Sequence, residues 1–145
     1  MFESNDKLAF NHLNGAALAY MGDAVYEVAV RRHVMEKGIT QPNRLHKAAV
    51  NYVGAVGQAM VIQTWIKEDN VLTADEITMY KRGRNNKANT KAKNASIADY
   101  RQATGFESLL GWLALTNQTE RLDMLMQAAI QMIDEGEKND ESSKK

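Results

Sequence analysis

The sequence predicts an all-α fold, on three observations. It contains one proline in 145 residues, no hairpin signal, and no clean run in which apolar and polar residues alternate as a half-buried strand requires. Apolar residues recur instead at three- and four-residue spacing between helix start and stop signals. A chain of this length has room for one ordinary domain with a real core, and it shows no internal repeat.

The elements follow in order. Asn14 is a suitable N-cap for a first helix running to about Lys37, with Gly38 as its stop. Pro42 suits a first helical turn and opens a second helix, whose apolar positions Leu45, Ala49, Tyr52, Val56 and Met60 carry it to about Trp65. Thr73 with Glu76 forms a capping box that starts a third helix running into KRGRN. Ser96 and Ile97 start a short piece around Tyr100. Thr104 and Glu107 repeat the capping-box pattern ahead of the apolar run FESLLGWLALT, and a last helix covers about Thr119 to Asp134. The closing GEKNDESSKK lacks large apolar residues, so the expected division is a domain over 1–135 and a mobile polar tail over 136–145. The eight methionines and the aromatics Trp65, Trp112, Tyr20 and Tyr52 sit at helical spacing and are expected in the core. His12, His33 and His46 have no metal-ligand spacing and are expected to be surface or structural residues.

Composition narrows the function. The formal net charge is zero, which argues against a protein that coats nucleic acid generally, although a balanced total can hide segregated charge. The absence of cysteine excludes disulfides, thiolate metal sites and a cysteine nucleophile, and fits a reducing cytoplasm. No stretch approaches the roughly 20 apolar residues that span a bilayer, and MFESNDKLAF is not a signal peptide, so a cytoplasmic protein without a membrane segment is expected.

Three features could carry chemistry. Asp23 and Glu27 share one stripe of the otherwise apolar helix in YMGDAVYEVAV, and a buried carboxylate needs a partner, a proton or a cation. One reading pairs Asp23 with an arginine of another helix and Glu27 with Arg31; the other makes Asp23 an oxygen ligand of a hard cation, with Gly22 admitting close approach. Glu107 is the only charge ahead of a long apolar run. It is either the third residue of a capping box or a second cation ligand opposite Asp23. The segment from Lys81 to Asn94 holds Lys81, Arg82, Arg84, Asn85, Lys87, Lys91 and Lys93 without an acid, and Arg101 extends it; such a segment is a solvated loop or a grip on RNA phosphates and sugars. An acid pair beside a basic segment suggests metal-assisted phosphodiester chemistry.

The same residues resemble a known family. LAYMGDAVYEVAV is similar to the Leu-Glu-Phe-Leu-Gly-Asp-Ala signature helix of the ribonuclease III family, and FESLLGWLAL to its second motif, Asp-x-x-Glu-Ala-Leu-Ile-Gly-Ala. RGRN, then KN, then YRQATGFESLLG resembles the small bacterial Mini-III branch, which has no double-stranded-RNA-binding domain. The likeness spans about residues 8 to 134. It implies a helical endonuclease domain, dimeric through the signature helix, with Asp23 and Glu107 as the metal-binding and catalytic acids. Ala19 and Thr104 stand where the larger family has two further acids, which implies a site with fewer hard ligands and greater reliance on water and phosphate oxygens. The resemblance also implies Mg²⁺, with Mn²⁺ able to substitute, and cleavage of double-stranded RNA to 5′-phosphate and 3′-hydroxyl ends. The implied cellular task is maturation of 23S ribosomal RNA precursors, with a large-subunit ribosomal protein as a candidate helper. The rival expectations are a non-catalytic RNA-binding or ribosome-assembly module of the same fold, and a helical protein-interaction domain.

Overall fold

Helices account for every regular element of the computed structural model, which describes residues 7–86 and 96–143. They are α1 (Lys7–Asn11), α2 (Gly15–Glu36), α3 (Pro42–Val53), α4 (Ala55–Lys67), α5 (Ala74–Arg84), α6 (Ile97–Leu115) and α7 (Thr119–Ser143). Among these residues there is no strand, and no helix is long and apolar enough to cross a membrane.

The first helix begins as its sequence requires. The Asn14 side chain accepts a hydrogen bond from the Ala17 amide at 2.8 Å, and beyond Glu36 the chain turns through Gly38 at φ +90°. The expected second helix is two. Its ladder breaks at Gly54, whose ψ of 154° is extended, so that α3 and α4 meet at a corner. The Thr73–Glu76 capping box is complete, with Thr73 N donating to the Glu76 carboxylate at 2.9 Å and Glu76 N to the Thr73 hydroxyl at 3.1 Å. Glu76 does more than cap. It is buried, and Arg121 of α7 donates to both its oxygens at 2.8 Å and to the Val71 carbonyl at 2.6 Å.

The second expected capping box is a correction. Ser96 caps a single helix from Ile97 to Leu115, and Thr104 lies inside it, its hydroxyl donating to the Tyr100 carbonyl at 3.0 Å. Glu107 is therefore a mid-helix residue, and helix initiation does not explain it. Helix α7 likewise runs past the expected end at Asp134 to Ser143, and Ile133 is the last of its residues described as buried.

The α2 and α6 helices form the largest interface and the centre of the molecule. Leu18, Tyr26, Phe106, Leu109, Leu110 and Leu113 are all fully buried there, and α4, α5 and α7 close around them. Both helices are thin where they cross. A Cβ on Gly22 would overlap the Glu107 carbonyl, and one on Gly111 would overlap the Leu18 carbonyl. Trp65, Trp112 and Tyr52 are buried as expected; Tyr20, expected in the core, is 84% exposed. Val28 and Met35 on α2 are exposed as well, so this helix keeps an apolar face outside the core.

A polar cluster ties α7 to α2 and α3. Asp134 accepts from Tyr52, from Lys37 at 3.1 Å, and lies 2.9 Å from His33 Nε2, which makes His33 a structural residue.

Candidate active site

The crossing of α2 over α6 sets the two acids of interest side by side. Asp23 follows the glycine that touches the Glu107 backbone, and the two carboxyl groups are in hydrogen-bonding contact although they are 84 positions apart in sequence. Asp23 is exposed and Glu107 half-buried, so the pair opens to solvent on the Asp23 side. Among the described residues no arginine pairs with Asp23; Glu27, one turn on, does take Arg31, at 3.1 Å.

Burial pushes the Glu107 carboxyl up to about 9, with the adjacent Asp23 charge and hydrogen bond adding to it and Glu27 contributing further. Two carboxylates in contact cannot both ionise without help, and they share either a proton or a cation. One group opposes the shift. The Gln58 amide, from α4, favours the ionised form of Glu107, yet its Nε2 makes no hydrogen bond of full geometry among the described residues.

The donor set suits a hard divalent cation. Both acids offer oxygen ligands, and a cation would offset the desolvation and repulsion that disfavour an ionised Glu107. Among the described residues no group of three or more His, Cys, Asp and Glu converges, so these two acids are the whole charged donor set. The positions one turn before each acid confirm how sparse it is: Ala19 is buried, and the Thr104 hydroxyl is engaged by its own helix.

The basic residues divide by what they touch. Lys81 is exposed in the last turn of α5, and Asn85 caps that helix. The Arg84 guanidinium lies over the Tyr80 ring at 5.4 Å and donates to Asn85 Oδ1 at 3.1 Å. Arg82 turns inward. It donates to the carbonyls of Asn11 at 2.5 Å and Leu13 at 3.0 Å, holding the turn between α1 and α2. Arg101 is exposed near the start of α6, about 9 Å along the helix axis from Glu107. Lys87, Lys91 and Lys93 lie outside the described residues.

Residues 16–118 match the model of the Ribonuclease III domain. The chain belongs to the ribonuclease III family. Within this family it is similar to proteins named Mini-ribonuclease 3. The one from Streptococcus pneumoniae is 48% identical over 124 residues, covering 86% of this chain and 96% of that protein. The one from Enterococcus faecalis is 49% identical over 126 residues, covering 87% and 95%. A crystal structure of a protein from Fusobacterium nucleatum aligns with a TM-score of 0.72 at 25% identity, covering 83% of this chain and 93% of that one. Ribonuclease III family nucleases are generally divalent-metal dependent, in keeping with the oxygen-rich donor pair.

Gln58 escaped the sequence analysis. The signal was present: it is the one polar residue in AVGQAMVI, a run whose neighbours Ala59, Val61 and Ile62 are all buried.

Proposed function

We propose that this protein is an endoribonuclease that cuts double-stranded RNA at the Asp23–Glu107 site with Mg²⁺, Mn²⁺ being able to substitute. The observation that carries the reading is the contact between the two carboxyl groups, brought from distant parts of the sequence to one place, exposed on the Asp23 side, where burial of Glu107 resists their joint ionisation. Asp23 and Glu107 are the residues that would hold the cation. A divalent cation supplies a lowered pKa for a coordinated water and compensation for charge on the scissile phosphate. The protein contributes the rest. Glu107 gives up its proton to become a ligand, Asp23 stays accessible to substrate, and the helix crossing keeps both in register. Water attacks the scissile phosphorus in line and the bond from phosphorus to the 3′-oxygen breaks, so the phosphate stays on the 5′ end and the leaving oxygen takes up a proton as the 3′-hydroxyl.

Substrate is gripped by Lys81, Arg84, Asn85, Lys87, Lys91, Lys93 and Arg101. These contact phosphates and 2′-hydroxyls, since the deep, narrow major groove of A-form RNA denies side chains a sequence readout. Arg82 supports that surface from behind, through the α1–α2 turn it holds. Binding is shape-directed and steeply salt-dependent. A homodimer offers one site to each strand of the duplex. The proposed task is maturation of 23S ribosomal RNA precursor ends in the cytoplasm, with a large-subunit ribosomal protein presenting the substrate.

Asp23→Asn tests this directly. With Mg²⁺ the parent protein cuts a precursor-like duplex, whereas the variant still shifts it in a gel at low salt and leaves it intact, with a rate loss of at least about a hundredfold. The rival, a non-catalytic RNA-binding module, is favoured by Ala19 and Thr104 at two family acid positions; it predicts that neither protein cuts.

A further inference from the structure

We propose that Gln58 is a positioning residue of this site: its buried amide supports the Glu107 carboxylate from the core side and fixes it as a ligand for a divalent cation. The inference rests on the reading of Asp23 and Glu107 as the cation-binding pair.

Gln58 is 1% exposed, and its side-chain nitrogen has no hydrogen-bond partner of full geometry among the described residues. A primary amide buried in this way is costly, and packing does not require it. Methionine or leucine has nearly the same volume and would suit a run flanked by Ala59, Val61 and Ile62 without leaving a polar atom orphaned. The cost is understandable if the amide serves Glu107. Helix α4 packs against α6, and this packing brings the buried Gln58 amide close to the Glu107 carboxyl. Asp23 is exposed and Gln58 buried, so Glu107 is flanked by an acid toward solvent and by an amide toward the core. An ionised Glu107 drawn toward a cation turns that loose approach into a charge-assisted hydrogen bond, which is where the orphaned N–H finds its partner.

The prediction separates folding from cation binding, because the amide helps one and hinders the other. Gln58→Met and Gln58→Leu are compared with the parent, Asp23→Asn and Glu107→Gln. The two measurements are thermal unfolding in chelator and Mn²⁺ affinity by calorimetry, without RNA. The expected result is a Gln58→Met protein at least as stable as the parent in chelator, whose Mn²⁺ affinity is about tenfold weaker, the weight of one charge-assisted hydrogen bond. A folded Gln58→Met or Gln58→Leu protein with parental Mn²⁺ affinity overturns the inference, provided Asp23→Asn and Glu107→Gln both lose binding. If those two also bind as the parent does, the cation site itself is misassigned and this inference falls with it. Unfolding of both Gln58 variants makes the amide a structural requirement of the core, which is equally an overturning result.

Discussion

Glu107 illustrates how one side chain can link folding, protonation and function. Its carboxyl is raised from an ordinary value of 4.5 to about 9 by burial first and the Asp23 charge second. In the metal-free protein, folding therefore takes up a proton between those two values. The stability that the neutral carboxyl confers is fully present below the lower value and is lost as pH rises through the upper one. Unfolding midpoints in chelator are expected to fall across that window, and Glu107→Gln, neutral at every pH, should flatten this component. Glu76 and Asp134 are both lowered and act with the opposite sign at the acid end, so the informative quantity is the difference between the two proteins. Parallel pH profiles for parent and variant would dismiss the assignment of this proton to Glu107.

Elements in this fold are placed by what they lack as much as by what they bury. Gly22 and Gly111 leave the α2–α6 crossing no room for a methyl group, since each hypothetical Cβ falls on a backbone carbonyl that cannot swing away. Helix propensity alone would make Gly→Ala favourable by about 1 kcal/mol. The crossing reverses the sign. Gly22→Ala and Gly111→Ala are each expected to destabilise by about 3 kcal/mol or more in urea unfolding, because the helices must part to relieve the overlap. A neutral effect at either position would show that the crossing is looser than described. These elements also mark what was legible in the sequence. The start of α2 at Asn14 and of α5 at Thr73 was legible, because capping is written within four residues. The same signature misled at Thr104, where a threonine and a glutamate three residues apart sit inside a helix that Ser96 had already started. No local pattern announces the pairing of Arg121 with Glu76 or of Arg82 with the α1–α2 turn, since each joins segments whose meeting depends on the finished core. Asp23 stood out as an acid in an apolar helix, but that it meets Glu107 followed from family resemblance rather than from helical periodicity.

The whole molecule leaves one apolar face unaccounted for within a single chain. Tyr20, Val28 and Met35 are exposed on α2, and Val28 lines a groove of about 520 Å³ together with Met21, Ala24, Val25 and Met126. A second copy of the chain covering this face is the proposed assembly, and it would account for the apolar side chains that residues 16–30 of α2 leave outside the core. Val28→Lys is expected to convert a parent of twice the chain mass into a monomer in sedimentation equilibrium, and to turn paired cuts in duplex RNA into isolated nicks. A parent that sediments at the mass of one chain would remove the dimer.

The bare contact of α2 on α6 has one more consequence. Because backbone meets backbone beside both acids, the separation of the two main-chain segments that carry Asp23 and Glu107 is fixed, and only their side-chain torsions and neighbours such as Gln58 are left to set the carboxyl gap. Any choice between a small divalent ion and a larger one such as Ca²⁺ would then start from the spacing of two helices, like the jaw of a gauge, with the carboxyl torsions making the final adjustment.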